Sequence, residues 1–286
     1  MSIAGVVIVV TLIIKMANNF ISVLLPTRKR VDLVKKSISS VLDLADNPDA
    51  IQIAVAYDYD DTDSDTYFSS KDWNQFVESR GARQIVLRTK NIGGFTNLYE
   101  YYNCLADYTD SKWILIWNDD AVMLSQGWDT EIWNNRNWHG MLTMESNCRF
   151  DHARPDQALF PAIPRTWHTL FGKLASCTID VWIGDICREV DAIKVISSEI
   201  FHDHADVTGN NNDEIFQLNW DKTKRRNLKR LYRSQEMSDQ RHEWAVRWAK
   251  ARPADSTWIP RSEEQKKFDN EQATKRALDR VKKSIK

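Results

Sequence analysis

Glycine and proline are scarce in this sequence of 286 residues, which contains nine glycines and seven prolines. This scarcity excludes collagen-like repeats and long low-complexity linkers, and the chain has no internal repeat. The rest of the composition is typical of a globular protein, with 42% hydrophobic and 28% charged residues. A chain of this length can bury a full core, as one large domain or as one domain with an appendage.

Cysteine is also scarce, and its spacing excludes the common structural metal motifs. No two of the four cysteines have only two or four residues between them, as a C-x-x-C or C-x-x-x-x-C zinc or redox site requires. The N-terminal residues lack a positive leading segment and an A-x-A cleavage site, so no standard signal peptide is predicted. We therefore expect a reduced, cytoplasmic protein. The cysteines are Cys104, Cys148, Cys177 and Cys187.

The longest uncharged apolar run, residues 3–14, is too short to cross a bilayer. Twelve helical residues span roughly 18 Å, against a hydrocarbon core of about 30 Å. Three interpretations of residues 1–16 stay open. They form a weak membrane-associating segment, an additional ordered apolar element, or sequence upstream of a true start at Met16.

Charge balance is lacking in the C-terminal part of the chain, which has twice as many basic as acidic residues. Residues 221–286 contain 20 of the 39 Lys and Arg but only 10 of the 40 Asp and Glu. The segment is predicted to be a basic helical extension, interrupted at Pro253 and Pro260. The basic face of such a helix is most often solvated, and contact with an anionic membrane surface is the alternative. We expect no nucleic-acid partner, and a cytoplasmic location with membrane association as the alternative.

Strands and helices alternate in the first half of the chain. Four apolar stretches, residues 20–25, 51–56, 83–87 and 113–117, are predicted strands. Helical patterns fill the intervals at residues 31–44, 72–80 and 95–108. This alternation with short links predicts a parallel sheet with helices on both faces. Further along, residues 181–190 are predicted to be a helix and residues 195–204 a last strand.

The fourth predicted strand ends in two adjacent carboxylates. All five residues at 113–117 are apolar, which is typical of a strand buried on both faces. Asn118, Asp119 and Asp120 follow at once. Adjacent carboxylates repel each other and are costly to desolvate without a positive partner. Ligands bind at the carboxyl ends of such strands, and oxygen ligands suit Mg²⁺ or Mn²⁺, which in turn binds a diphosphate. A solvated Asx turn is the alternative interpretation.

The order of these strand ends resembles a GT-A glycosyltransferase of the family-2-like group. The resemblance covers roughly residues 20–216. It implies an α/β fold of the GT-A type, Rossmann-like, with a mostly parallel central sheet flanked by helices. A domain at residues 17–220 would then precede the charged helical extension at 221–286. The matching pieces are residues 22–28, 54–61, Asn97, residues 118–120, residues 179–182 and residues 202–204.

The resemblance also implies a donor site. Asp58 would reach the base or ribose of the nucleotide. The motif at 118–120 stands where the family has Asp-x-Asp, so Asp120 would bind Mn²⁺ or Mg²⁺ and Asp119 would hold ribose or metal-bound water. Asn118 departs from the family pattern and leaves two acids. The residues assigned to the nucleotide are Pro26, Thr27, Arg28, Asp58, Asn97, Asn118 and Asp119.

Two further roles follow from the resemblance. His202 and His204 resemble the C-terminal histidine that completes the metal site, and on a strand both side chains would lie on one face. Which of the two is a ligand stays open. Asp180 aligns with the acid that accepts the acceptor's proton, and its position before a helix predicts an N-cap. Asp185 is the rival, on the face expected to be solvated.

The predicted function is an inverting, metal-dependent glycosyltransferase of the hexosyltransferase type. It would move a sugar from a nucleoside diphosphate sugar, most simply a UDP-sugar, to a hydroxyl acceptor such as a glycan. One alternative is a non-catalytic nucleotide- or carbohydrate-binding protein with the same fold. A nucleotidyltransferase is another, but residues 26–30 lack the glycine-rich loop that such enzymes wrap around a triphosphate.

Overall fold

The computed structural model describes residues 20–90, 97–147, 160–202 and 222–259, with the side chains of residues 222–225 excepted. Residues 1–16 and His204 therefore lie outside the described residues. The strands are β1 (Ile21–Pro26), β2 (Ile51–Asp58), β3 (Arg83–Thr89), β4 (Trp113–Ile116), β5 (Ala121–Met123), β6 (Met141–Ser146), β7 (Ala162–Pro164) and β8 (Ile193–His202).

Helices connect these strands and follow them. They are α1 (Val31–Asp43), α2 (Thr62–Phe68), α3 (Lys71–Glu78), α4 (Leu98–Asp107), α5 (Trp128–Asn134), α6 (Thr166–Phe171), α7 (Ile179–Glu189), α8 (Lys222–Tyr232) and α9 (Gln235–Lys250), with a short 3-10 helix at Pro48–Ala50. Helices α2 and α6 were not predicted, nor were strands β5 and β6. No helix in the described part of the chain is both long and apolar enough to span a bilayer.

The strands form one eight-stranded sheet in the order β3-β2-β1-β4-β7-β6-β8-β5. Parallel pairing joins β3, β2, β1 and β4 in succession and also joins β6 to β8. Strand β7 is antiparallel to both of its neighbours, and β5 is antiparallel to β8. The expected α/β fold, with a mostly parallel central sheet flanked by helices, is confirmed.

Neighbouring residues of the central strands supply two separate cores. In β1, Val23 packs with the α1 side of the sheet and Leu24 packs with the α4 side, as alternation along a strand requires. Every residue of β1, β2 and β4 is buried. This explains why these three strands are nearly continuous apolar runs in the sequence.

The chain changes direction across the sheet between β1 and β4. From β1 it moves outward to β2 and β3, with α1 and α3 covering one face, and it then returns through α4 on the other face to β4. Because β1 and β4 are parallel neighbours, their carboxyl ends lie side by side at this reversal. In open α/β sheets such a switch point is the usual ligand-binding crevice.

The C-terminal helix α9 contributes side chains to the core on the α4 side. Trp244 and Trp248 are buried there, together with Trp258 beyond the helix. The ring of Trp248 stacks on that of His139, with centroids 3.7 Å apart. Trp167 and Trp182 are fully buried in the same cluster.

This packing predicts that the C-terminal helix stabilises the domain. Trp248→Ala should lower the free energy of unfolding by about 3–5 kcal/mol, the usual cost of removing a buried aromatic side chain. Trp133→Ala is the matched control, since that tryptophan is 47% exposed. Chemical denaturation followed by fluorescence measures both variants. If the two variants lose the same free energy of unfolding, α9 does not stabilise the domain.

Candidate active site

The carboxylate of Asp119 is buried at the switch point and compensated by the loop after β1. Thr27 Oγ1 donates a hydrogen bond to Asp119 Oδ2 at 2.8 Å, and Arg30 Nη1 lies 3.0 Å from Oδ1. Asp119 is only 6% exposed. Arg30 thus provides the positive partner that two adjacent carboxylates require. Sequence reasoning missed this residue, although it belongs to the basic run that follows the first strand.

The protonation of Asp119 reflects these contacts. Burial raises the pKa of Asp119 to about 6, the positive charge of Arg30 opposes that rise, and the negative charge of Asp120 adds to it. Asp119 is therefore mostly ionised at neutral pH, held by one cation and destabilised by one neighbouring anion.

Asp120 is joined to His202 from the far end of the sheet. His202 Nε2 lies 3.1 Å from Asp120 Oδ1. The histidine ends β8, opposite Ala121 of β5. Asn147 fixes its backbone, because His202 N donates to Asn147 Oδ1 at 2.6 Å and Asn147 Nδ2 donates to the His202 carbonyl at 3.2 Å. The structure thus brings together two of the three residues that were predicted to bind metal.

The Asn118 turn is held from both faces of the sheet. From α1, Ser37 Oγ donates to the Asn118 carbonyl at 3.1 Å and accepts from Trp117 Nε1 at 2.7 Å. From α4, the hydroxyl oxygen of Tyr102 lies 2.7 Å from Asn118 Oδ1. Because helices on opposite faces contact the same turn, the acids that follow Asn118 have a defined position.

Asp180 lies near this acidic turn but is not an N-cap, so that expectation is wrong. Helix α7 begins at Ile179 and is preceded by Thr178 at the cap position, which makes Asp180 its second residue. Burial raises the pKa of Tyr102 well above its ordinary value, and the charges of Asp119, Asp180 and Asp120 raise it further. Asp180 therefore shares the electrostatic environment of the Tyr102 hydroxyl with both acids.

Arg28 and Asp58, two of the predicted nucleotide-binding residues, contact each other. Arg28 Nη1 donates to Asp58 Oδ2 at 2.8 Å and to Asp60 Oδ1 at 2.6 Å. The hydrogen bond to Asp60 is the largest cause that raises the pKa of Arg28. Tyr101 donates to the other oxygen of Asp58. The guanidinium is about a quarter exposed, whereas Asp58 is nearly inaccessible.

The rest of the acidic stretch after β2 has a structural use. Asp61 caps α2 by accepting from Ser64 N at 3.1 Å, and it also accepts from Lys29 N at 2.7 Å. Asp63 lies in the first turn of α2 and is exposed. No helix was predicted between residues 57 and 71, and the Asp61 cap explains why α2 forms there.

Two other predicted nucleotide residues lie at the ends of elements beside the site. Pro26 ends β1 opposite Ala56, and the next residue, Thr27, donates its backbone N–H to the Ala56 carbonyl at 2.9 Å. Asn97 stands before α4, the helix that carries Tyr101 and Tyr102. The N-terminal end of α4 therefore faces the same edge of the sheet as Pro26 and Thr27.

The side chains around Asp120 fit a divalent ion that takes only some of its ligands from the protein and the rest from a second bound molecule. Across the described ranges, no group of three or more His, Cys, Asp or Glu could hold a metal. Asp120 and His202 offer one carboxylate and one imidazole, while both oxygens of Asp119 already accept hydrogen bonds. Mg²⁺ and Mn²⁺ are commonly bound by one or two protein side chains, with water and phosphate oxygens completing the shell.

Comparison with known proteins gives structural neighbours only. No protein-family model and no curated protein matches the sequence. The solved structures include S. aureus TarS, with 14% identity and a TM-score of 0.46, over 65% of this chain and 37% of that one. They also include a TarS 1–349 complex with UDP-GlcNAc, with 12% identity and a TM-score of 0.49, over 70% and 64% of the two chains.

A third neighbour is the mannosyltransferase PcManGT from Pyrobaculum calidifontis in complex with GDP-Man and Mn²⁺. It has 11% identity and a TM-score of 0.49, over 65% of this chain and 57% of that one. The chain therefore spans less than two thirds of the length of each of these three structures. All three TM-scores are below 0.5, so conclusions about the site rest on its own geometry.

The contacts of Asp119 predict how its pKa responds to substitution. Arg30→Met should raise the pKa above about 6, because it removes the cation that stabilises the ionised form. Asp120→Asn should lower it, because it removes the neighbouring negative charge. Titration of carboxyl-¹³C aspartate by NMR, without divalent metal, measures both shifts. Shifts of the same sign in the two variants would contradict this account of the site.

Proposed function

We propose that this chain is a metal-dependent, inverting glycosyltransferase. It takes a sugar from a nucleoside diphosphate sugar, for which UDP-sugars are the first candidates, and transfers it to a hydroxyl group of an acceptor such as a glycan. One observation carries the proposal. At the switch point between β1 and β4, a compensated carboxylate, Asp119, lies next to a second carboxylate, Asp120, that is paired with a histidine.

The donor diphosphate accounts for the chemistry of this turn. Asp120 and His202 would hold Mn²⁺ or Mg²⁺ jointly with the phosphate oxygens, and this ligand sharing couples metal binding to nucleotide binding. When bound, the ion stabilises the negative charge of a departing nucleoside diphosphate. Thr27 and Arg30 keep Asp119 in place beside this position, where it can accept a hydrogen bond from ribose or from water.

The nucleoside would lie over the carboxyl ends of β1 and β2. Arg28 is a partly exposed cation at this edge, and its ion pairs with Asp58 and Asp60 orient it. Pro26, Thr27, Asn97 and Asn118 border the same edge. The guanidinium can bind a phosphate or stack on the base, and Asp58 contributes to base or ribose recognition through the position that it gives to Arg28.

Asp180 is the proposed catalytic base. A carboxylate in the first turn of a helix is stabilised in its ionised form by the helix dipole, so it can accept the proton of the acceptor hydroxyl at neutral pH. Direct attack by that hydroxyl on the sugar gives inversion. The rival, Asp185, is already engaged, since its carboxylate accepts hydrogen bonds from Arg188 and from Tyr232 of α8.

The first prediction from this proposal concerns the metal. Asp120→Ala should abolish the Mn²⁺-dependent gain in UDP affinity, because it removes the only carboxylate assigned to the ion. Asp63→Ala, an exposed acid of α2, is the control and should bind as the wild type does. Isothermal titration calorimetry with Mn²⁺ or with EDTA measures the gain. If wild-type protein binds UDP equally well in EDTA, the metal dependence is wrong.

The second prediction concerns the base. Asp180→Asn should lower turnover by about 10²-fold or more, the usual contribution of a positioned general base, with UDP affinity unchanged. Asp72→Asn is a matched control, because Asp72 is the second residue of α3 just as Asp180 is of α7. Release of UDP from UDP-sugars with a mixed acceptor pool gives the rates.

These assays also separate the enzyme from its main alternative. A non-catalytic binding protein of the same fold would bind UDP with Mn²⁺ but release no UDP from any UDP-sugar, and Asp180→Asn would then have no measurable consequence. Turnover that survives Asp180→Asn at the wild-type rate would contradict the role of this residue while leaving the transferase proposal in place.

A further inference from the structure

The Tyr102 hydroxyl has more oxygen neighbours than protons to give them. Tyr102 is fully buried. Its hydroxyl oxygen lies 2.8 Å from the carbonyl oxygen of Trp117 and 2.7 Å from Asn118 Oδ1. A tyrosine hydroxyl carries one proton, so it can donate a full hydrogen bond to only one of them. A second oxygen at such a short distance, without a proton between the two atoms, is repulsive.

The conflict is removed if the side-chain amide of Asn118 is rotated by half a turn, which exchanges the positions of its oxygen and nitrogen. If the Asn118 amide is turned over, Nδ2 takes the position beside Tyr102 and can donate to the hydroxyl oxygen, which accepts. The Tyr102 proton is then available for the Trp117 carbonyl. Each of these two hydrogen bonds then has one donor and one acceptor, and Asn118 Oδ1 is directed away from Tyr102.

We propose that Tyr102 is a positioning residue that fixes the Asn118 amide so that Oδ1 serves as a hydrogen-bond acceptor in the donor site. The ligand of this oxygen is an O–H group of the bound metal–nucleotide complex, either a sugar hydroxyl or a coordinated water. The identity of that ligand rests on the proposed function, whereas the Tyr102–Asn118 contact does not.

The pairing also explains why asparagine stands where the GT-A pattern has aspartate. An aspartate at position 118 has no N–H to donate, so its carboxylate would compete with the Trp117 carbonyl for the one Tyr102 proton. It would also add a third negative charge beside Asp119 and Asp120. Asn118→Asp, which restores the family pattern, should therefore weaken binding of a metal–nucleotide complex.

The backbone of the turn does not depend on the Tyr102 hydroxyl. Ser37 Oγ donates to the Asn118 carbonyl, and Trp117 N donates to the Leu24 carbonyl at 3.0 Å. Tyr102→Phe keeps the buried ring and removes only the oxygen. The variant should fold with the turn in place and with the Asn118 amide free to rotate.

The contact is tested first without any ligand. In ¹⁵N-labelled protein, hydrogen exchange of the Asn118 side-chain amide should be slower than that of Asn134, whose side chain is exposed. Tyr102→Phe should accelerate exchange at Asn118 and leave Asn134 unchanged. If Asn118 exchanges as fast as Asn134 in the wild type, Nδ2 does not donate to Tyr102 and the proposal is overturned, whatever the function of the protein.

The consequence for the site is tested by UDP affinity in the presence of Mn²⁺. Tyr102→Phe and Asn118→Asp should each weaken it about tenfold, the effect of one hydrogen bond worth about 1.4 kcal/mol. The double variant should be no weaker than the worse single variant, because both changes break the same contact. Tyr57→Phe is the control for loss of a buried tyrosine hydroxyl, since Tyr57 donates to Asp65 at 2.8 Å.

Three results would overturn the positioning role. They are tighter UDP binding by Asn118→Asp, fully additive losses in the double variant, and a Tyr102→Phe protein that loses thermal stability but binds UDP with wild-type affinity. Should the wild type bind no UDP at all, the proposed function fails, and the exchange measurement alone decides whether Tyr102 holds Asn118.

Discussion

Two adjacent carboxylates at the end of a buried strand need separate polar partners, and the arrangement of the site follows from which partner each one has. Asp119 is compensated locally, by Thr27 and Arg30 from the loop after β1. Asp120 is joined to His202, which reaches it because β5 and β8 pair at the opposite end of the sheet. The parallel half of the sheet therefore supplies the acids and the cation, and the mixed half supplies the imidazole.

The two helical layers have different tasks around this edge. Helix α1 fixes the backbone of the acidic turn through Ser37, and α4 contacts its side chain through Tyr102. Helix α7, which carries Asp180, is braced along its length by the C-terminal helices, where Tyr232 bonds Asp185 and the ring of Trp244 packs against Trp182. The basic extension expected from the charge distribution thus contributes side chains to the core that supports the proposed base.

Local sequence patterns predicted the central strands, because β1, β2 and β4 are buried on both faces and must be apolar throughout. The family resemblance predicted that Asp120 shares a metal with His202 or His204, and the structure places His202 beside Asp120. Arg30 was missed because its partner, Asp119, is almost ninety residues away in the sequence. Strands β5 and β6 were missed because they are defined by pairing with β8, which local periodicity does not report. The cap at Asp180 was misassigned by two residues, within the usual uncertainty of helix ends.

The central claim is that the protein supplies only part of a metal shell at Asp120 and His202, and that a nucleoside diphosphate supplies the rest. Electron paramagnetic resonance of Mn²⁺, titrated with protein in the absence and in the presence of saturating UDP, tests this claim most directly. The account predicts weak Mn²⁺ binding to the protein alone and an affinity at least about tenfold higher with UDP, with UDP affinity rising by the same factor when Mn²⁺ is present. Equal Mn²⁺ affinities with and without UDP, after correction for Mn²⁺ bound by free UDP, would contradict it.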